Sequence, residues 1–350
     1  MATVGPAWDR DGVPERIADL AIPRIRLRYN LAQGTLEFHS RMMARARSAF
    51  GKDVIISTDI GGRKARIDKG QEKLVLITGS KIKVSYGDRY SAPYIRFNNQ
   101  VIIEAGRVGD QPIIGDTEVR LEILQKIPEG WECLVVKGGT VIANKGVLVR
   151  GMEYENLPLP LVPECDVEGY DFSAAERVHT VYASYVSSLK QAREYERVAR
   201  EQRFEGLLGI KGELLYEVQH CYRELIDHSD AFMFARGDGT VSVGVAKVLT
   251  LQPEMAEYAA KKVKVFVLGT GVAGGLENDL ELTVMDGASI VLCADDLLSN
   301  PGGEQFLMLS GEASVPKDKV ACPVVTIDSV WGMMVVAYQR RCRLLNRVQH

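Results

Sequence analysis

Two short segments of this chain end an apolar run with opposite charges held close together. Ile210 is followed by Lys211-Gly212-Glu213, and the run Ala231-Phe232-Met233-Phe234-Ala235 by Arg236-Gly237-Asp238. In each triplet a cation and a carboxylate flank a glycine, which lets the backbone turn sharply where a strand ends. Either triplet alone is weak, because Arg-Gly-Asp also occurs in solvated loops. Together they put charged groups where parallel-strand proteins do chemistry, at the carboxyl end of the strand.

Such groups need a scaffold that aligns strand ends. Short apolar runs at 2–6, 24–28, 54–59, 179–186, 204–211, 231–238, 264–270 and 288–294 alternate with helix-like stretches. The clearest of these stretches is 188–203, where Leu189, Ala192, Tyr195, Val198 and Ala199 recur by threes and fours among charged residues. Regular alternation of strand and helix implies a parallel sheet, and eight units predict an α/β fold, a closed (β/α)8 TIM barrel. Polar residues close most of the runs: Thr3, Arg28 with Asn30, Asp59, Ser184, Lys211 with Glu213, Arg236 with Asp238, and Thr270; the last run ends near Asp295 and Asp296. In barrels of this kind that edge carries the active site.

The third gap breaks the alternation. Runs at 74–78, 81–86, 94–97, 100–104, 118–127 and 132–136 alternate apolar and polar residues between turn signals such as Asn98-Asn99 and Gly138-Gly139. They predict an antiparallel β-domain over 69–156, inserted after barrel strand 3. The barrel is then formed by 1–68 plus 157–350. Pro158, Pro160 and Pro163 punctuate the return.

Composition narrows the function classes. The 350 residues carry a net charge of −3, with 46% hydrophobic and 25% charged residues. That balance predicts a soluble globular protein without the basic footprint of a nucleic-acid binder. No apolar run approaches the roughly 20 residues of a membrane span, and the first residues lack the pattern of a signal peptide. A cytoplasmic setting is therefore expected. The six cysteines form no Cys-x-x-Cys pair, and the five histidines show no metal-ligand spacing. If a metal is bound, carboxylates are the expected ligands, which favours Mg²⁺ or Mn²⁺ over zinc. The glycine-rich stretch 269–275 does not match a dinucleotide fingerprint.

At these residues the chain resembles the pyruvate kinase family. Ala2-Thr3-Val4-Gly5-Pro6 is similar to the family's first strand, and Arg28-Tyr29-Asn30-Leu31-Ala32-Gln33-Gly34-Thr35 to its Arg-x-Asn-x-Ser-His-Gly-Thr segment. Asp59-Ile60-Gly61-Gly62-Arg63-Lys64-Ala65-Arg66 is similar to Asp-Thr-Lys-Gly-Pro-Glu-Ile-Arg. Lys211-Gly212-Glu213 stands where the family has Lys-Ile-Glu, and Met233-Phe234-Ala235-Arg236-Gly237-Asp238 where it has Met-Val-Ala-Arg-Gly-Asp.

The resemblance implies roles. Glu213 and Asp238 hold the divalent cation, and Lys211 stabilises the enolate and the transferring phosphoryl group. Gly237, Asp238 and Thr270 cradle the substrate carboxylate, and Ser184 joins that set. Arg28 and Arg66 bind phosphoryl oxygens, and Thr3, Pro6 and Asn30 lie beside the ADP or ATP with Arg66. The inserted domain acts as a lid. The implied partners are a small 2-oxo acid or enolpyruvate compound and a nucleotide, with a homo-oligomer expected, and neither nucleic acid nor membrane.

Several positions depart from the family. Ala32, Ile60 and Gln33 replace its serine, threonine and histidine. Lys64 stands where potassium-dependent members carry glutamate and potassium-independent members carry lysine, so Lys64 joins the expected catalytic set and K⁺ is not expected to be required. Gly239-Thr240 replaces Leu-Gly, and the segment after Thr270 is shorter than the family's. The family's C-terminal regulatory domain is not expected in this chain. These departures suggest a specialised pathway. A Mg²⁺-dependent 2-oxo-acid lyase or aldolase is the alternative, followed by a non-catalytic binding relative, and ADP or ATP binding separates them.

Overall fold

The computed structural model describes residues 1–19, 25–51, 54–87, 93–115, 118–128, 130–269 and 290–291. Every apolar run that predicts a parallel strand contributes one. Strands β1 (Ala2–Thr3), β2 (Arg26–Asn30) and β3 (Ile55–Ile60) open the chain. A second group follows: β4 (Ala65–Arg66), β5 (Leu74–Leu76), β6 (Lys81–Tyr86), β7 (Tyr94–Phe97), β8 (Gln111–Ile114), β9 (Val119–Ile127), β10 (Gly130–Lys137), β11 (Gly139–Val141) and β12 (Gly146–Arg150). The first set then resumes with β13 (Thr180–Ala183), β14 (Leu207–Gly212), β15 (Ala231–Phe234), β16 (Val265–Leu268) and β17 (Ile290–Val291). The resulting eight-stranded sheet has the order β1-β2-β3-β13-β14-β15-β16-β17, with parallel pairing throughout.

Helices connect these strands, as parallel pairing requires. They are α1 (Val13–Asp19), α2 (Leu36–Phe50), α3 (Gln100–Ala105), α4 (Glu164–Ala175), α5 (Leu189–Glu201), α6 (Leu215–His228), α7 (Arg236–Val243) and α8 (Val245–Lys261). Local signals set their ends. Thr35 caps α2 by accepting the Phe38 N–H, and Gly51 ends it at φ 79°. Ser188 caps α5 by accepting the Gln191 N–H. The buried face of α5 contains Ala192, Tyr195, Val198 and Ala199 as the spacing predicts, but with Gln191 in place of Leu189. Among the described residues no helix is long and apolar enough to cross a membrane.

The second group differs from its sequence reading in two respects. Its seven-stranded sheet, ordered β4-β12-β8-β9-β10-β6-β7, is antiparallel except for β6 and β7, which pair in parallel. Alternation along a strand fixes which face is buried but carries no direction. The run at 100–104 is also not a strand. It forms α3, because Asn99 accepts the Ile102 N–H and caps a helical turn. Trp131 of β10 locks that helix in place by donating from Nε1 to the Ile103 carbonyl at 2.8 Å.

Among the described residues two large apolar cores result, beside a small cluster of Tyr182, Ala231, Met233 and Val267. One lies between the parallel sheet and its helices, around Leu27, Ile56, Phe232 and Phe266. The other fills the second sheet around Val84, Ile123, Trp131 and Val147. The second core also takes in Tyr185, Leu214 and Val241, which follow β13, β14 and β15. The second sheet thus rests on the carboxyl edge of the first.

Candidate active site

Register alone brings the charged strand ends together. Thr3 pairs with Arg28, Asn30 with Asp59, and Lys211 with Met233. A row of alternating charge then crosses the sheet. Arg28 donates to Thr3 Oγ1 at 2.9 Å and to Asp59 Oδ2 at 2.7 Å. The Lys211 Nζ lies 3.2 Å from the same Asp59 oxygen, 2.9 Å from Glu213 Oε1 and 3.2 Å from Ser184 Oγ. Arg28, Asp59, Lys211 and Glu213 are all buried.

Burial pushes the Asp59 carboxyl up, but Arg28 and Lys211 outweigh it and hold the group below its ordinary value. Burial pulls the Lys211 ammonium down, and Glu213 and Asp59 reverse this and raise it. Glu213 behaves in the opposite way to Asp59. Burial raises it, and the Asp238 charge adds to that against the pull of Lys211. Two carboxylates with diverging affinities for a proton, next to a fixed ammonium, are typical of a functional site.

Asp238 comes from a different element. The strand expected over 231–238 stops at Phe234, and Arg236-Gly237-Asp238 forms the first turn of α7. A carboxylate there faces the positive end of the helix. Asp238 receives Lys64 Nζ at 2.8 and 3.0 Å, and Tyr185 OH donates to it at 3.4 Å. Burial raises Asp238, and Lys64 and Lys211 outweigh it, so its carboxyl is held low. Lys64 arrives just ahead of β4 and passes Gly146, where any Cβ would lie 2.3 Å from the Lys64 Cε. The Lys64 side chain is only 17% exposed.

Tyr185 links the two halves of the site and was not singled out from the sequence. Its N–H donates to Glu213 Oε2 at 2.7 Å, and its ring lies 5.0 Å from the Lys64 Nζ. It adopts φ 58°, a conformation that bulky residues rarely hold outside constrained sites. Gly62, at φ 67°, packs against the neighbouring Ser184 carbonyl, where a Cβ would come within 2.2 Å. No pattern of residue types announces either feature.

A cleft of about 660 Å³ opens above this floor, between the parallel strand ends and the second sheet. Lys211, Arg28, Lys64, Asn30, Arg66, Ser184, Glu213, Gly237 and Asp238 line it, together with Gln33, Asn144 and Lys145. Arg66 is steadied by donating to the Asn144 carbonyl at 3.1 Å. Thr3 does not line the cleft, since it is buried beneath Arg28. Pro6 is exposed on a 3-10 turn away from it. Thr270, Asp295 and Asp296 lie outside the described residues.

Among the described residues no cluster of three or more His, Cys, Asp or Glu side chains forms a ready metal cage. The donors present still suit a hard cation. Glu213 and Asp238 are the adjacent carboxylates that line the cleft, and each is paired with a lysine, Lys211 and Lys64 respectively. A Mg²⁺ or Mn²⁺ ion takes few protein oxygens and completes its shell with water and substrate.

Charged groups gathered at the carboxyl edge of a parallel sheet, beneath a second sheet, place the chain among α/β proteins that bind ligands at that edge. Comparison with known proteins specifies the family. The family described as "Pyruvate kinase, barrel domain" matches residues 1–317, so the chain belongs to the pyruvate kinase family. A pyruvate kinase of Mycobacterium tuberculosis (strain CDC 1551 / Oshkosh) is 25% identical over 339 residues, covering 92% of this chain and 66% of that protein. The pyruvate kinase of Thermococcus litoralis is 23% identical over 327 residues, covering 91% of this chain and 65% of the relative. That of Staphylococcus aureus (strain MRSA252) is 23% identical over 326 residues, with 90% and 53% covered. The chain thus spans slightly under two thirds of the first relatives' length, and about half of the last.

Proposed function

We propose that this chain is a kinase that moves a phosphoryl group between a nucleotide (ADP or ATP) and an enolpyruvate-type or related 2-oxo acid, using Mg²⁺ or Mn²⁺. The row Arg28–Asp59–Lys211–Glu213 across the floor of the cleft is the observation that carries this reading. Phosphoryl transfer asks a protein chiefly for positioning and for positive charge around the transferring group.

Glu213 and Asp238 would hold the cation, which when bound supplies Lewis-acid charge to substrate oxygens. Lys211 holds a full positive charge at the floor, where an enolate gains negative charge. Asp59 keeps Arg28 and Lys211 apart and oriented. Arg28 and Arg66 face the same cleft from opposite sheets, a spacing suited to phosphoryl oxygens. Asn30 lies beside them for the nucleotide, and Gly237 opens space for the substrate carboxylate at the start of α7. Thr270 is retained in the substrate set on the resemblance alone.

The parallel strands close into a (β/α)8 barrel in this reading, with residues 69–156 as an inserted lid. Lys64 supports potassium independence, because its ammonium already places a monovalent positive charge in the cleft. The 2-oxo-acid lyase gains less support, since it would leave Arg28 and Arg66 without a phosphate to bind. Substitutions around the cleft, such as Gln33, are consistent with a specialised pathway in the cytoplasm. The family resemblance supports a homo-oligomer.

The test mixes the protein with phosphoenolpyruvate, ADP and Mg²⁺ without K⁺ and follows products by NMR. ATP and pyruvate should appear together, and Glu213→Gln should abolish both. A well-folded protein that binds no ADP and forms neither product would overturn the assignment.

A further inference from the structure

The second sheet departs from the parallel sheet through residues 61–64 and returns through 157–163, and one buried amide touches both crossings. The outgoing crossing is held first by Asp166, near the start of α4. It accepts the Gly62 N–H at 3.1 and 3.0 Å and the Tyr195 hydroxyl at 2.6 Å. The next residue, Arg63, turns inward and is only 5% exposed. Its Nη2 donates to Ser187 Oγ at 2.9 Å and to Gln191 Oε1 at 3.0 Å. Gln191, fully buried on α5, then donates from Nε2 to the Leu161 carbonyl of the returning crossing at 3.1 Å.

This arrangement is unusual for a buried guanidinium. Neither of the Arg63 acceptors is a carboxylate, and its Nε has no hydrogen-bond partner among the described residues. Burying a cation against neutral acceptors is a poor route to stability, so its value lies in fixing geometry. A side chain anchored to α5 holds the outgoing crossing, and through Gln191 the returning crossing is tied in as well.

We propose that Arg63 and Gln191 are positioning residues that clasp both crossings to α5 and so set where Lys64 and Arg66 stand in the cleft. This rests on reading the cleft as a nucleotide and phosphoryl site. Lys64 follows Arg63 directly, and Arg66 opens the second sheet, so a shift at Arg63 is passed to both cations within one turn of chain.

Three variants of the full chain separate the parts. Arg63→Met removes the outgoing tie. Gln191→Glu keeps an acceptor for Arg63 but loses the donor to Leu161. Gln191→Leu removes the amide's bonds to both crossings and leaves Arg63 with Ser187 alone. Hydrogen exchange should rise at 61–67 in the first, at 157–163 in the second and at both in the third. The nucleotide KM of Arg63→Met should rise about tenfold with kcat little changed, since small misplacements of binding groups have effects of this order or larger. A lower melting temperature with unchanged nucleotide KM, or exchange that rises uniformly, would reduce the clasp to ordinary packing and overturn the proposal. Should the unaltered protein bind no ADP, the kinase reading fails, while the exchange pattern still decides for or against the clasp.

Discussion

The floor and the rim of the cleft both pair a lysine with a carboxylate, yet they are built in different ways. On the floor, Lys211 and Glu213 belong to one strand end and meet Arg28 and Asp59 from β2 and β3, all out of water. On the rim, Lys64 reaches from the second sheet to Asp238 on α7, and their side chains remain 17% and 20% exposed. The floor is fixed by the hydrogen-bonded register of one sheet. The rim exists only while two sheets hold their mutual pose, which Arg150 assists by donating from Nε and Nη2 to the Val241 carbonyl at 3.0 and 2.7 Å. The floor is therefore closed to solvent and set within one sheet, whereas the rim is partly solvated and depends on the pose of two.

The largest effect should come from the floor. Lys211→Met leaves Asp59 and Glu213 buried with less compensating charge, and removing one partner from a buried pair costs about 3–5 kcal/mol. In the proposed reaction it also removes the charge that would face the developing enolate, so kcat should fall by roughly 10²–10³-fold or more. Urea unfolding and steady-state kinetics measure the two losses separately. If stability is retained and only kcat falls, the floor does not act as one electrostatic unit.

An intermediate effect should appear with pH, because the two floor carboxylates are displaced in opposite directions. Asp59 is held below its ordinary value, so it stabilises the fold above that value, and the gain disappears as pH falls below about 4. Glu213 is raised, so its ionised form costs stability as pH climbs from about 4.3 through the raised value. Urea unfolding of metal-free protein between acid and neutral pH should therefore show Asp59→Asn losing its disadvantage at low pH. Glu213→Gln should gain on the unaltered protein as pH rises. If Glu213 holds the divalent cation as proposed, Mn²⁺ binding followed by electron paramagnetic resonance should weaken as pH falls through that range. Parallel pH profiles for the two variants would show that the carboxylates are not differentiated.

The same contrast explains how much of the site could be read from the sequence. Lys211, Glu213, Arg28 and Asn30 were legible because a parallel strand places its last residues at a known edge, and the apolar runs locate the strands. Asp238 was legible as a site residue but not as part of a helix, since nothing in Ala231-Phe232-Met233-Phe234-Ala235 marks where strand gives way to α7. Val101, Ile102 and Ile103 look like a strand, whereas the Asn99 cap decides for a helix. Tyr185 was missed because a left-handed backbone at a bulky residue is imposed by tertiary packing. Gln191 was missed because periodicity counts apolar residues, and its burial rests on hydrogen bonds to Arg63, Ser187 and Leu161. Contacts within one sheet were therefore open to inference, and contacts between the two sheets were not.

The smallest effect, and the sharpest test of the contrast, concerns Lys64. Its pair with Asp238 is partly solvated and joins two separately packed units, so Lys64→Met should cost about 1 kcal/mol or less, near the range of accessible ion pairs. Raising ionic strength should loosen the pair further, since a Debye length of about 8 Å at physiological salt falls to about 3 Å at 1 M. The floor, closed to solvent, should show little response. Hydrogen exchange at low and high salt reads both regions in one experiment. Residues around 61–67 should exchange faster in salt, while β14 stays protected, and Lys64→Met should remove the salt response of the first segment without touching the second. Equal salt sensitivity at β14 would mean that water and ions reach the floor, and that the division between a closed floor and a partly solvated rim does not hold.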